Sequence, residues 1–91
     1  MFYIISYDIP NDKTRQKIAK ILLDFGSRVQ YSVFEAILTN ELLEKLVKRL
    51  EKVINIEEDS VRIYRLCNEC KQAIKILGCG KVSEDKDVYI L

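Results

Sequence analysis

Strand-like and helix-like segments alternate along the 91 residues, and this alternation predicts an α+β fold, a ferredoxin-like β-α-β-β-α-β sandwich. Two segments place apolar residues at helical spacing, and runs rich in Ile, Val and Tyr lie before and after them. We therefore expect an antiparallel sheet with two helices on one face, followed by a C-terminal strand. A chain of this length makes one domain, so residues 1–91 are expected to fold as a single unit.

The chain begins with a strand that ends at a carboxylate. Phe2–Tyr7 is an unbroken apolar and aromatic run, which is typical of a strand, and Asp8 follows it directly. Periodicity does not say which of the two faces of this strand meets the helices. Residues 9–12, Ile-Pro-Asn-Asp, then turn the chain.

The first helix is predicted from Lys13 onward. Its apolar side is formed by Ile18, Ile21, Leu22 and Phe25. Asn11 or Asp12 is expected to accept hydrogen bonds at its start, and Gly26 to supply a left-handed stop at its end.

The same helix carries cations where its dipole disfavours them. Lys13, Arg15 and Lys17 crowd its first turns, where each cation costs roughly 0.3–1 kcal/mol at low salt. Lys20 and Arg28 extend this cluster, although the whole chain carries a net charge of only +1. A basic cluster beside an isolated carboxylate suits a phosphodiester held near a metal. A solvated helix face is the alternative interpretation.

Composition predicts association between copies of the chain. Hydrophobic residues make up 48% of the sequence, more than a small monomer easily buries, so we expect an oligomer. The near-neutral net charge argues against nucleic-acid binding by the whole surface and leaves room for a local patch. The sequence shows no signal-peptide pattern and no apolar run of membrane-spanning length. We therefore expect a cytoplasmic protein with no membrane partner.

Three cysteines lie in the second half of the chain. Cys67 and Cys70 form a Cys-x2-Cys pair, and Cys79 follows. The odd count and a reducing compartment argue against a disulfide framework. A structural zinc site would need a fourth ligand, and the chain contains no histidine. The expected role is that of loop thiols, with a zinc site shared between subunits as the alternative.

Residues 27–38 are strand-like but irregular. Phe34 places an aromatic ring on the polar side of the alternation, and Glu35 places an acid on the apolar side. Because no Gly, Pro, Asn or Asp interrupts Ser27–Leu38, the residues favour one bent strand over a hairpin.

A second helix is predicted over residues 41–53, with Thr39 or Asn40 as its cap. Its buried stripe would comprise Leu42, Leu43, Leu46, Val47, Leu50 and Val53. Val61–Leu66 predicts a further strand that points Arg62 and Arg65 to opposite faces.

The last quarter of the chain carries weaker signals. Cys67–Gln72 predicts a turn, Ala73–Leu77 a short strand, and Gly78–Lys86 a mobile loop. The apolar segment Asp87–Leu91 predicts a final strand that pairs with a sheet edge across a dimer. The sheet face without helices is the expected dimer surface.

Five stretches carry a family resemblance: Tyr7–Pro10, Asp12–Lys17, Gly26–Glu35, Asp59–Tyr64 and Asp87–Ile90. Together they resemble the CRISPR-associated protein 2 family, in order and over essentially the whole chain. The segment Gln30–Glu35 is the most specific part. In contrast to a single bent strand, the resemblance implies two short strands within residues 28–38.

The resemblance implies a homodimer that acts in the acquisition of new CRISPR spacers, where it bridges two dimers of an integrase subunit and holds the incoming DNA. Many members of this family are described as magnesium-dependent endonucleases acting on single-stranded RNA or double-stranded DNA. Asp8 would be the catalytic, metal-binding residue, with Mg²⁺ or Mn²⁺. The other site positions that the resemblance implies are Tyr7, Arg15, Lys17, Arg28 and Phe34. Lys17 is Arg in some members, and lysine contacts a phosphate without a bidentate fork.

The residue chemistry agrees with this function up to a point. One Asp8 per chain is a small ligand set for a metal nuclease, whereas two copies across a dimer axis would supply a pair. Arg15 and Arg28 would offset developing negative charge, and no histidine is present to act as a base. The alternatives are an architectural DNA-binding subunit, in which Asp8 only ends a strand, and a ligand-sensing module, for which no small-molecule motif appears. The sequence does not separate nuclease from architectural subunit, and it does not indicate RNA or DNA.

Overall fold

The computed structural model describes residues 1–80 and 82–83. Its elements in chain order are β1 (Phe2–Asp8), α1 (Asp12–Leu23), β2 (Ser27–Gln30), β3 (Val33–Ile37), α2 (Asn40–Glu51), β4 (Ser60–Leu66) and α3 (Asn68–Gln72). The first six elements follow the predicted β-α-β-β-α-β order, so the α+β, ferredoxin-like fold class is confirmed. The predicted strand Asp87–Leu91 lies outside the described residues.

The four strands form one antiparallel sheet in the order β2-β3-β1-β4. β1 is central, with Ile5 opposite Phe34 of β3 on one side and opposite Ile63 of β4 on the other. β1 is paired on both edges from Phe2 to Ser6, and β4 continues the pairing on one side as far as Asp8. Within the described residues, no helix is both long enough and apolar enough to span a membrane.

The odd-numbered side chains of β1 face the helices. Tyr3, Ile5 and Tyr7 are buried in one cluster with apolar residues of both helices: Ile18, Ala19, Ile21, Leu22, Leu46 and Leu50. The even-numbered side chains of β1 therefore lie on the opposite face, which has no helix over it. Burial settles the choice that periodicity left open.

Both long helices begin at the predicted caps. The Asn11 side-chain oxygen accepts the Thr14 N–H at 2.9 Å, and the Thr39 hydroxyl oxygen accepts the Leu42 N–H at 3.2 Å. The buried stripe of α2 is narrower than the predicted one. Leu46 and Leu50 are buried, but Leu42 is exposed.

The prediction of one bent strand over residues 27–38 is wrong. Two strands, β2 and β3, are joined at Tyr31 and Ser32, as the family resemblance implied. The Tyr7 N–H donates to the Ser32 carbonyl at 3.1 Å, and the Tyr7 hydroxyl donates to the Tyr31 carbonyl at 3.2 Å. The turn residues, Tyr31 and Ser32, both have negative φ. Most two-residue hairpins instead place Gly or Asn at positive φ. The register is irregular between Arg28 and Gln30.

Gly26 does not act as a left-handed stop, contrary to the prediction. Its φ is not positive; the positive-φ glycines of the described chain are Gly78 and Gly80. A Cβ at Gly26 would lie 2.1 Å from the Glu35 carbonyl oxygen and 2.8 Å from the Ala36 Cβ. Glycine is required here because the chain after α1 packs directly against the backbone of β3.

The segment after β4 also differs from the prediction. Cys67 caps the short helix α3 where a turn was expected, and residues 73–77 form no strand. The Ala73 N–H donates to the Glu69 and Cys70 carbonyls and the Ile74 N–H donates to Lys71, so these backbone groups continue the helical turn and do not pair with a strand. The described part of the predicted loop, residues 78–80 and 82–83, contains neither helix nor strand.

The helix-free face of the sheet is formed by Phe2, Ile4, Ser6, Val33, Glu35, Ile37, Arg62, Tyr64 and Leu66. Two contacts with residues after β4 cover part of this face. The Lys71 ammonium lies 5.0 Å from the ring centroid of Phe2, which is buried. Glu35 is 8% exposed and accepts both the N–H of Ser83 at 2.9 Å and its hydroxyl at 2.8 Å. Glu35, the acid that the strand alternation places among apolar residues, is therefore hydrogen-bonded.

Candidate functional site

Asp8 stands at the carboxyl end of the central strand and is exposed to solvent. It lies opposite Ser60, the first residue of β4, on the helix-free side of the sheet. The turn through Pro10 follows at once and carries the chain into α1. Asp8 is paired with β4 on one side, whereas the pairing of β1 with β3 ends at Ser6, so the sheet holds this carboxylate from the β4 side.

Arg15 holds the turn between β1 and α1. One guanidinium nitrogen, Nη1, donates to the Ile9 carbonyl at 2.9 Å and to the Pro10 carbonyl at 3.4 Å, while Nη2 pairs with the Asp12 carboxylate. The side chain remains 43% exposed. A guanidinium carries five N–H donors, so Arg15 can stabilise the turn beside Asp8 and still present donors to a ligand.

The lysines of α1 are exposed along its outer side. Lys13 and Lys17 are one turn apart near the start of the helix, next to the turn that follows Asp8. Lys20 lies about 10 Å further along the axis than Lys13, at 1.5 Å per residue. The structure therefore places Lys13 and Lys17 in the half of α1 that follows the turn after Asp8, and Lys20 toward the far end of the helix.

Tyr7, Phe34 and Arg28 form a stack on the helix side of the sheet. The rings of Tyr7 and Phe34 lie 6.2 Å apart, and the Arg28 guanidinium carbon lies 5.2 Å from the centre of the Phe34 ring. Phe34 is completely buried and Tyr7 nearly so. Arg28 is exposed on the edge strand β2, and its direction is set by the aromatic ring beneath it.

The predicted site residues thus fall into two groups. Asp8 lies on the helix-free side of the sheet, whereas Arg28 shares the register row of Phe34 on the helix side. Arg15 lies at the end of the sheet, where it binds the carbonyl of Ile9.

Two further residues of this region were not predicted as site residues. Tyr31 is 95% exposed at the tip of the β2–β3 hairpin, and its carbonyl is held by the Tyr7 hydroxyl. Arg62 lies on the helix-free face opposite Ser6, two register rows from Asp8. The Arg62 guanidinium donates to the Tyr64 hydroxyl at 3.3 Å, and this contact raises the pKa of Arg62. The hairpin tip and the strand register, which place them there, were not visible in the alternation pattern.

The ligand set for a metal ion is small in one chain. In residues 1–80 and 82–83, no three or more His, Cys, Asp and Glu side chains come together in a group that could hold a metal ion. Asp8 offers one exposed carboxylate at a sheet end, next to the turn that Arg15 holds. Magnesium often uses one or two protein carboxylates together with waters and substrate phosphates. Asp8 fits such an ion as a single protein ligand.

Comparison with known proteins agrees with the motifs. Residues 1–74 match the profile of the family described as "CRISPR associated protein Cas2". The chain belongs to the Cas2 family. It is 47% identical over 93 aligned positions to the "CRISPR-associated endoribonuclease Cas2 1" of Chloroflexus aurantiacus, and the alignment covers all of both chains.

Solved structures of the Cas2 family have the same fold. The crystal structure of Streptococcus pyogenes Cas2 superposes with a TM-score of 0.76 at 31% identity, covering 86% of this chain and all of that one. A chain of the structure titled "Partial Cas6-RT-Cas1--Cas2 complex" superposes with a TM-score of 0.67 at 32% identity, covering 84% of this chain and 89% of that one. These likenesses extend the family assignment to the fold as a whole.

Proposed function

We propose that this chain acts in CRISPR spacer acquisition as a homodimeric nucleic-acid-binding subunit with metal-dependent endonuclease activity. Its substrate would be the phosphodiester backbone of single-stranded RNA or double-stranded DNA. Support comes from Cas2 family membership, from the relative named an endoribonuclease, and from the relative solved in a complex with Cas1. The observation that carries the proposal is the exposed Asp8 carboxylate at the end of the central strand, where the chain turns into the basic first half of α1.

The proposed cofactor is Mg²⁺ or Mn²⁺, held by Asp8. When bound, the ion would polarise the phosphodiester and lower the pKa of an attacking water. Asp8 would position that charge at the sheet end, and Lys13 and Lys17 would hold the flanking phosphates as point charges. The chain has no histidine, so an imidazole base is not part of this proposal.

Arg15 and Arg28 would contribute in different ways. The guanidinium of Arg15 holds the backbone of the turn beside Asp8, so the proposed role combines positioning with stabilisation of developing charge. Arg28, braced against Phe34, would hold the nucleic-acid backbone on the other side of the sheet end. Tyr7 would support both groups by fixing the hairpin through the Tyr31 carbonyl. The exposed Tyr31 ring would then offer an unpaired base a stacking surface.

The proposed dimer forms through the helix-free face, with Asp87–Leu91 adding to the partner's sheet. Ile4, Val33 and Ile37 are only partly buried on this face, and Tyr64 is 46% exposed. Association there would remove this apolar surface from water. It would also bring together the sides of two chains that carry Asp8, so that two carboxylates could serve one metal site.

A non-catalytic architectural subunit, bridging integrase dimers and holding DNA, is the second candidate. Two observations favour it. The Arg15 guanidinium is already bound to two carbonyls and a carboxylate of its own turn, and Arg28 lies on the other side of the sheet from Asp8. A single chain therefore presents its cations mainly as a surface for phosphates, and less as a clamp around the carboxylate.

The two candidates are distinguished by Asp8→Asn, assayed beside wild type on single-stranded RNA and on duplex DNA, with and without Mg²⁺. Asn keeps the side-chain shape and removes the charge. We expect cleavage to fall by about 100-fold or more. Dimerisation should be unchanged, and DNA binding should hold or rise slightly because an anion has been removed. Glu44→Gln, which removes an exposed carboxylate of α2, is the matched control and should cleave like wild type.

Equal cleavage by wild type and Asp8→Asn would place the activity elsewhere and contradict the nuclease proposal. No cleavage by either protein, with binding intact, would support the architectural candidate. If wild type neither cleaved nor bound either substrate, the nuclease proposal and the architectural candidate would both be contradicted.

A further inference from the structure

The Cys-x2-Cys pair lies in the first turn after β4 and has no part in the proposed function. Cys67 is the N-cap of α3 and Cys70 lies within that helix; both are free and exposed. Residues three apart in a helical turn have Cα atoms roughly 5 Å from each other. A disulfide requires Cα atoms about 4.4–6.8 Å apart, so this backbone can accommodate one without rearrangement.

The two cysteines are joined by a hydrogen bond and are not equivalent. The Cys67 sulfur accepts the backbone N–H of Cys70 at 3.4 Å. Hydrogen bonding by Cys70 lowers the pKa of the Cys67 thiol, whereas the interaction with Cys67 raises the pKa of Cys70. At a given pH, Cys67 is therefore more often the thiolate, which is the nucleophilic form. The pair has the asymmetry of an attacking and a resolving thiol.

We propose that Cys67 and Cys70 are a redox modification site, which forms a reversible intramolecular disulfide by exchange with a low-molecular-weight disulfide such as oxidised glutathione. The proposal rests on two exposed thiols in one helical turn, linked by the hydrogen bond from the Cys70 N–H to the Cys67 sulfur, at a spacing that permits the bond. It is independent of nucleic-acid binding and of Asp8.

The exchange takes two steps. The Cys67 thiolate attacks one sulfur of the small disulfide, forms a mixed disulfide and releases one small thiolate. Cys70 then gives up its proton, and its thiolate attacks the Cys67 sulfur and releases the second small thiolate. The protein dithiol loses two electrons and two protons, and the small disulfide becomes two thiols. Excess reduced glutathione reverses both steps.

The bond would act on the helix-free face of the sheet. Lys71 follows Cys70 directly, and its ammonium lies over the ring of Phe2 at that end of the face. A bond between Cys67 and Cys70 would fix the first turn of α3, and with it the backbone that carries Lys71. The oxidation state would therefore set how firmly α3 covers Phe2.

The test uses the reduced full-length chain, incubated with oxidised glutathione and analysed by intact-mass spectrometry and free-thiol counting. We expect the free thiols to fall from three to one, without a stable glutathione adduct on the pair. Peptide mapping should place the bond between Cys67 and Cys70, and excess reduced glutathione should restore three thiols. Cys79→Ser is the matched control and should form the same bond. Cys70→Ser should stop at a glutathione adduct on Cys67.

Reactivity supplies a second readout. Iodoacetamide at pH 7 should alkylate Cys67 several-fold faster than Cys70. A stable glutathione adduct on the wild-type pair, or a disulfide that involves Cys79, would overturn the proposal. It would also be overturned if the purified chain carried stoichiometric Zn²⁺ that protected both thiols from the exchange. Wild-type cleavage and binding play no part in these measurements, so the proposed function can fail without affecting them.

Discussion

Replacing Gly26 with alanine should destabilise the fold strongly, although the backbone conformation at this position is open to any residue. The added Cβ would lie 2.1 Å from the carbonyl oxygen of Glu35 and 2.8 Å from the Ala36 Cβ. Both neighbours belong to β3, whose backbone is paired with β1 and β2. The contact is therefore not relieved by a side-chain rotation, and β2 must move away from β3.

The size of the effect follows from that geometry. Overpacking a well-packed interior costs about 1–3 kcal/mol, and a clash with paired backbone belongs in the upper part of this range. In a domain of this size each kcal/mol lowers the melting temperature by roughly 4–8 °C. At 2–3 kcal/mol, we therefore expect Gly26→Ala to melt roughly 8–24 °C below wild type. Thermal melts followed by circular dichroism, with urea titrations, measure both quantities.

Two controls distinguish close packing from a conformational role. Asparagine tolerates left-handed backbone better than alanine, so it would be the milder substitution if Gly26 served as a left-handed stop. Under close packing the larger Gly26→Asn should be the more harmful. Gly78 gives the opposite case, because its φ is +88° and a Cβ there meets nothing within 4 Å. At Gly78, Asn should be milder than Ala.

The result that refutes the packing argument is specific. If Gly26→Asn melted above Gly26→Ala, or if both stayed within about 2 °C of wild type, the close approach to β3 would not be the reason for glycine. Because Gly26 lies two residues before Arg28, the alanine variant should also bind nucleic acid more weakly at temperatures where it is still folded.

Three further outcomes are expected. Arg28→Ala should weaken duplex DNA binding and reduce the slope of log K against log salt by about 0.9. The control Lys75→Ala should leave the affinity and the slope unchanged. Equal slopes for wild type and Arg28→Ala would show that Arg28 contacts no phosphate. Tyr31→Ala should weaken single-stranded binding roughly 5- to 150-fold with the salt slope unchanged, and Tyr31→Phe should restore it; equal loss in both variants would exclude stacking. Light scattering on the full chain should give twice the monomer mass, and truncation after Lys86 should weaken the dimer; a monodisperse monomer at micromolar concentration would contradict the proposed homodimer.

Local signals predicted much of this fold. Asn11 and Thr39 cap their helices as expected, because capping is a contact between side chain and backbone within one turn. The sequence also predicted the strand that ends at Asp8 and the opposite faces of Arg62 and Arg65. Successive side chains of a strand point to opposite faces, and the sheet keeps this two-residue period. The family resemblance, carried by Gln30–Glu35 among others, named the site positions and implied the hairpin.

The structure decided what depends on contacts between distant residues. Tyr7 bonds to the carbonyls of Tyr31 and Ser32, which places a turn where no turn residue stands, and the register then moves Phe34 into the core. The direction of Arg28 follows from that buried ring, and the need for Gly26 follows from the approach of β3. Local pattern reports what a residue does with its neighbours in the chain. Register and close packing depend on partners that are distant in the chain. The hydroxyl of Tyr7, for example, bonds to a carbonyl more than twenty positions away, and only the folded chain brings the two together.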